Sequence, residues 1–358
     1  MSPFSKFIVA AIGVDWTGGP GNDVFGGTKF ADTARGLSGS DIFNMYGGND
    51  AAYGGMGNDW INAGGGNDLS YGGWGRDVIY SGDGHDDSYG GWGDDDIYGD
   101  SGSDDLFGGN GHDEIYGGDG NDDVVGDNGN DELFGGNGND ELFGGSGNDD
   151  MNGGAGEDDH YGGAGHDTID FLNSDAGVNV NLQTGTGSGG HAQGDTYHAI
   201  EAVAGSDHAD VLTGDTGDNS LFGFGGNDVI DGGEGDDVIN GGENGFGPFG
   251  DIMTGGFGED TFLFDHGESG GLVGVDFIND FTVGQDTIAV HAPGVEFSGL
   301  QFGYVGNAMV ELYYNWTFDD TYGAVTHVHM RNDHVYEDDF EIMLQGHLNL
   351  TESDFAFT

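Results

Sequence analysis

The sequence predicts an all-β repeat protein built from short strands, and three observations carry that prediction. Aspartates recur every nine residues from Asp23 to Asp167, 17 in phase without a slip. Of 358 residues, 80 are Gly, and Gly costs about 1 kcal/mol per helical position relative to Ala. The three residues after each in-phase Asp alternate polar or aromatic, apolar, polar or aromatic. That is a three-residue strand with its middle residue inward.

Most units read Gly-Gly-x-Gly-x-Asp-x-apolar-x, as in GGNGNDELF (135–143), GGNGHDEIY (108–116) and GGWGRDVIY (72–80). Early copies are degenerate: GTKFADTAR (27–35) keeps the Asp and few glycines. A second block is clocked by Asp210, Asn219, Asp228 and Asp237; an insertion within GGENGFGPFGDIM delays Asp251, and Asp260 follows. Glycines permit left-handed backbone angles and close approach of carbonyls to one point. The Asp adds a carboxylate there. Ca²⁺ takes six to eight such oxygens. Turn chemistry alone would not hold a fixed phase over this length.

Charge points to the same ion. The chain has 66 acids against 5 bases, a formal net charge of −61. A nucleic-acid partner is excluded, because phosphate affinity needs a basic footprint. Without Cys there is no disulfide scaffold and no thiolate metal site. No apolar run is long enough for a transmembrane helix. Such acidity means disorder unless a cation neutralises it, yet the 12% aromatic content is that of a folding chain.

These units resemble the RTX (hemolysin-type calcium-binding) repeat family over about 18–264. The resemblance implies a right-handed parallel β-roll with two repeats per coil, in two blocks with a C-terminal β cap. Ca²⁺ would sit between stacked loops, held by the motif Asp and by loop carbonyls. The implied ligands are Asp41, Asp50, Asp59, Asp68, Asp77, Asp86, Asp95, Asp104, Asp113, Asp122, Asp131, Asp140, Asp149, Asp158, Asp167, Asp210, Asp228, Asp237, Asp251 and Asp260, with Asp23 and Asp32 less regular. That is roughly 15–20 ions, and about 19 would cut the net charge to about −23. The expected parts are an N-terminal apolar strand or cap (1–17), block 1 (18–170), an inter-block β module (171–205), block 2 (206–264) and a C-terminal β cap with secretion signal (265–358). The inter-block stretch carries AGVNVNLQTG and GDTYHAIEAVAGSDHADVLTG; the tail carries GGFGEDTFLF, VDFINDFTVGQDTIAV and LTESDFAF.

Consecutive repeats face opposite ways, so inward residues sort into two rows. One is large throughout: Phe25, Phe43, Ile61, Ile79, Ile97, Ile115, Leu133, Met151, Ile169. The other starts small: Ala34, Ala52, Ser70, Ser88, then Leu106, Val124, Leu142, His160. The small half is expected to be underpacked unless neighbouring large residues or another element fills it. Outward aromatics form two strips, Tyr53, Tyr71, Tyr89, Phe107, Phe143, Tyr161 and Tyr80, Tyr98, Tyr116, Phe134, with Met56, Trp74 and Trp92 along a loop edge. They are gap-filling ladders or an interaction surface.

Other chemistry is sparse. His327, His329 and His334 are either metal ligands or polar surface histidines. Adjacent acids such as Asp94, Asp95 and Asp96 sit inside repeats, as calcium ligand and solvated face. There is no Gly-x-Ser-x-Gly elbow, His-Glu-x-x-His or phosphate loop, and family enzymes carry their catalytic domain upstream of the repeats. The expectation is therefore a non-enzymatic, secreted calcium-binding structural protein, extracellular or at the cell surface, using type I secretion machinery and self-assembling as a homo-polymer. The rivals are a glycan- or surface-binding adhesin and, behind it, an unrecognised hydrolase or epimerase. The apolar segment 4–14 caps its own roll or a neighbour's.

Overall fold

The computed structural model describes residues 13–244, 249–265, 275–291, 300–302, 310–319, 323–332 and 340–357. Apart from single 3-10 turns at Gly190–Ala192 and Glu352–Asp354, its regular structure is β. Two compact units divide it. The first holds residues up to Ile169 plus Gly194–Ile200, and the second holds Asp170–Gln193 and Glu201 onward. The expected module 171–205 is thus shared between them: Thr196–His198 pairs in parallel with Asp159–Ala164 of the first unit.

In the first unit two parallel sheets are wound by one chain. One runs from Asp15–Thr17 by way of Ala51–Met56 and Asp105–Asn110 to Thr196–His198; the other runs from Val24–Gly26 by way of Asp96–Gly102 to Thr168–Asp170. Register advances by two repeats, so Ile97 pairs with Ile115 and Tyr71 with Tyr89. Nine residues therefore make half a coil. Strand–turn–strand with alternating facing is what the apolar residue two after Asp demands: it is the only side chain of its triplet that turns inward. The large row from Phe43 to Ile169 is fully buried.

The small row is also fully buried, and its space is filled from across the roll. In the same stretch of chain the opposite sheet turns a second side chain inward: Met45, Ala63 and Ser81, each 0–1% exposed. Ser81 and Ser88 meet directly, Oγ to Oγ, at 2.8 Å. Later in the chain, where the row becomes Leu106, Val124 and Leu142, the matching positions are Gly99, Gly117 and Gly135. The two sheets thus exchange which of them supplies the second inward side chain. Trp16 stacks on Phe25 at 5.2 Å and meets Phe43 edge-on at 6.0 Å, covering the start of the large row. The segment before Gly13 lies outside the described residues.

The second unit repeats this plan with insertions. Leu212, Ile230, Met253, Ile278 and Leu344 align across one sheet; Val203, Leu221, Ile239, Phe262 and Ile288 align across the other. The second sheet adds one more parallel strand, Phe355–Phe357 beside Thr287–His291, while the first turns antiparallel. Phe340–Gln345 pairs in parallel with Val275–Ile278 but antiparallel with Gly323–Asn332, which pairs antiparallel with Val310–Asp319.

Candidate metal centre

Most in-phase aspartates divide two jobs between their two carboxylate oxygens. One stitches coils: the Asp59 N–H donates to Oδ1 of Asp77 at 2.7 Å, Asp95 to Asp113 at 2.8 Å, and Asp140 to Asp158 at 2.9 Å. The other oxygen, Oδ2, has no hydrogen-bond partner on the in-phase aspartates from Asp41 to Asp158, nor on Asp228, Asp237 and Asp260. These side chains are 0–4% exposed. A buried, unmatched carboxylate oxygen is costly unless a cation meets it. Asp167 and Asp251 stand in the same ladder, accepting from Asp149 and Asp228 at 3.0 and 2.8 Å.

The surroundings fit an oxygen-seeking ion. A Cβ added to Gly54 would lie 2.3 Å from Asp59 Oδ2 and 2.5 Å from the Gly72 carbonyl oxygen; on Gly232 it would lie 2.3 Å from Asp237 Oδ2 and 2.5 Å from the Gly255 carbonyl oxygen. A carboxylate and a carbonyl of the next coil thus converge on a space that only glycine leaves open. The donors are all oxygen, the set that Ca²⁺ takes.

Backbone handedness decides whether Oδ2 stays open. The residue four before the Asp is left-handed at every open site, as with Gly55 (φ 114°), Gly73 (φ 118°) and Gly136 (φ 112°). Leu37, Tyr46, Asp100, Asp127 and Phe224 adopt the same conformation ahead of Asp41, Asp50, Asp104, Asp131 and Asp228, with φ of 65–78°. Side chains rarely accept that conformation. Where the residue is not left-handed, its N–H donates to the carboxylate. Gly19 caps Asp23, Thr28 caps Asp32 and Ser206 caps Asp210, at 2.5–2.6 Å. Asp210, expected among the ligands, differs for this reason. Its Oδ1 also accepts from Val178 N–H and Ser206 Oγ at 2.7 and 2.9 Å, so protein donors hold both oxygens.

The exchange of core residues also alters three sites. Met45, Ala63 and Ser81 occupy, relative to Asp50, Asp68 and Asp86, the place that Gly54 occupies relative to Asp59. A Cβ stands in those three cradles.

Asp195, Asp276 and Asp286 extend the ladder without being in phase. They accept from Asp158, Asp251 and Asp260 N–H at 2.9, 2.9 and 3.3 Å. Insertions hid them from a nine-residue count; the signal left in the sequence is an Asp two residues before an inward apolar or aromatic side chain, as in Asp195-Thr-Tyr197, Asp276-Phe-Ile278 and Asp286-Thr-Ile288.

Burial pushes these carboxyls up. Asp95 rises to about 8, Asp77 and Asp113 to about 7, and Asp228 to about 9. Desolvation is the main cause. The N–H donated from the preceding coil opposes it, and neighbouring carboxylates add to it. Burial thus disfavours the bare anion, and either a proton or a bound cation relieves that cost.

Fold and site together define a calcium-binding β-roll protein with multiple Ca²⁺ sites. The model of the RTX calcium-binding nonapeptide repeat (4 copies) matches in overlapping segments from residue 17 to 169, and again over 204–243. That is more than half of the chain, and the chain belongs to this family. No curated protein matches it. Among solved structures it is similar to the solution structure of the AlgE6R3 subunit from the Azotobacter vinelandii mannuronan C5-epimerase, with 29% identity, 42% of this chain and 78% of that chain covered, and a TM-score of 0.32. Among the described residues no helix is long and apolar enough to cross a membrane.

Proposed function

We propose that the protein is a secreted structural element that folds when it meets Ca²⁺ outside the cell and then assembles with copies of itself into a filament, matrix or surface layer. One observation carries the first half: a long row of buried aspartates, each with one oxygen that no protein group satisfies. Such a chain is unfolded where calcium is scarce and folds where it is plentiful, which suits export through a narrow channel by a type I pathway. Ligand free energy is folding free energy in such an array. Assembly rests on the repeats themselves, since a roll of stacked coils has two different ends. End-to-end contact between copies is heterologous and propagates. On this reading the chain carries no catalytic chemistry.

The test is sedimentation of the full chain, with and without millimolar Ca²⁺, beside a variant lacking residues 1–14. Calcium-dependent polymers from the full chain and folded monomers from the truncated one support the proposal. A full chain that stays monomeric at high concentration in calcium removes the assembly half.

A second reading has its own observation. Trp74 and Trp92 stack at 5.4 Å and are 61% and 56% exposed, with Met56 beside them in register with Trp74 and 62% exposed. The other aromatics form tight ladders, Tyr71 on Tyr89 and Tyr98 on Tyr116 at 4.7 and 5.0 Å, and are mostly half-buried. The open edge therefore supports a calcium-dependent adhesin that lays a sugar ring or apolar surface on the two indoles. Glycan arrays with wild type and a Trp74→Ala/Trp92→Ala variant test it; equal binding by both removes it.

A further inference from the structure

The antiparallel strands that end the second unit bring together residues of a different chemistry. His327 and His329 lie on one face of Gly323–Asn332, and Glu341 pairs directly opposite His329 on the same face. Their ligand atoms all lie within 4.8 Å of one another. The two imidazoles are stacked, with centroids 6.0 Å apart and planes 9° from parallel. His329 is buried, and His327 and Glu341 are half-buried, so the group is shielded but reachable. His334 lies outside the described residues.

Two hydrogen bonds fix the first ring. His327 Nδ1 lies 2.8 Å from Glu341 Oε1, and its Nε2 lies 2.6 Å from Thr317 Oγ1 on the neighbouring strand. A divalent ion can take the place of the proton shared by ring and carboxylate. Thr317 then accepts from the other ring nitrogen, which is how metal-bound histidines are usually oriented.

We propose that His327, His329 and Glu341 form a transition-metal site, for Zn²⁺ or a similar imidazole-seeking ion, separate from the calcium ladder. Metal–nitrogen distances of about 2.0–2.1 Å put two ligands of one tetrahedral ion about 3.4 Å apart. No two of the ligand atoms are more than 4.8 Å apart, and His327 Nδ1 and Glu341 Oε1 are 2.8 Å apart. The widest pair therefore closes by about 1.4 Å at most and the bridged pair opens by roughly 1 Å or less, a range that side-chain rotation covers. Imidazole suits Zn, Cu, Fe and Ni, while all-oxygen cradles suit Ca and Mg. The two kinds of site sort their ions by ligand chemistry. Three protein ligands leave a coordination position open, which a water or a side chain from another copy would fill.

The experiment uses the full chain saturated with Ca²⁺ and titrated with Co²⁺, read by its visible d–d bands and by elemental analysis after gel filtration. One Co²⁺ per chain is expected beyond the calcium, displaced by Zn²⁺. His329→Ala and Glu341→Gln should each weaken it by at least the roughly 10–100-fold typical of outer partners, and Thr317→Ala by less. Unchanged Co²⁺ binding in a His327→Ala/His329→Ala variant that keeps its β circular dichroism overturns the site. So does loss of the Co²⁺ signal when calcium is raised, since that places the ion in the carboxylate ladder. Should the double variant not fold, Glu341→Gln decides alone, because it keeps the size and hydrogen bonding of the side chain.

Discussion

Within the first unit, residues 42–92 and residues 96–146 have the same coil geometry and different interiors. The earlier stretch pairs Ala52, Ser70 and Ser88 with inward Met45, Ala63 and Ser81; the later one pairs Leu106, Val124 and Leu142 with Gly99, Gly117 and Gly135. The backbone does not register the swap: Ser88 still pairs with Leu106 in unbroken parallel register. What changes is the ion site. The glycines of the later stretch leave cradles beside Asp104, Asp122 and Asp140, where an added Cβ would fall 2.5–2.8 Å from Oδ2. In the earlier stretch those cradles hold real side chains. Hydrophobic packing and metal ligation therefore compete for one backbone position. The alternate row, with Gly36, Gly54, Gly72 and Gly90, keeps its cradles throughout.

The largest effect should come from removing calcium. Chelation at neutral pH should abolish the β circular dichroism signal of both stretches, and a chelated sample that keeps its compactness would sink the calcium reading. Back-titration sharpens the contrast: hydrogen exchange should show 96–146 protected at lower Ca²⁺ than 42–92. Next in size is the core. Leu142→Ala should cost ~2–5 kcal/mol. Ser88→Ala should cost less, about 1–3 kcal/mol, through the hydroxyl partner it leaves on Ser81; equal losses would mean that the two interiors are not packed by different means.

Single ligand removals follow. Asp140→Ala should raise the calcium midpoint by an amount equivalent to roughly 1–3 kcal/mol and lower cooperativity while the fold survives, since each coil contacts only its neighbours. Asp68→Ala, whose cradle contains Ala63, should shift the midpoint less. A reversed order in a calcium titration followed by circular dichroism breaks the comparison.

The smallest effect is that of pH on the calcium-free chain. The buried carboxyls are raised above the ordinary 3.8, to about 6 for Asp68 and about 8 for Asp95. A raised acid favours the folded state when protonated. That contribution is complete below the unfolded value and is lost as pH climbs through the folded one. Acidifying a chelated sample from about pH 8 to 5 should therefore restore part of the β signal, first around Asp95 and later around Asp68. Calcium affinity should fall over the same range, because protons and Ca²⁺ compete for the same oxygens. A β signal that falls on acidification would show that the burial inferred for these groups is wrong.

Much of this was legible in the chain because a nine-residue unit is local. The spacing of Asp, the inward apolar residue and the strand triplet are set by neighbours in sequence, and so were the two rows and the ladder from Asp41 to Asp167. Three things were not local. The left-handed residue four before each Asp is silent when it is Leu37, Tyr46 or Phe224, because nothing in those residue types announces a positive φ. The places of Asp195, Asp276 and Asp286 in the ladder depend on how insertions loop out. Glu341 meets His327 and His329 only through an antiparallel register that no repeat encodes. By itself, then, the sequence determined the repeat, its facing and the need for a cation, since each follows from composition within nine residues. Only the tertiary structure decided which carboxylate oxygens stay open and which distant side chains converge. Those depend on backbone handedness and strand pairing, where one N–H or one register step changes the chemistry of the site.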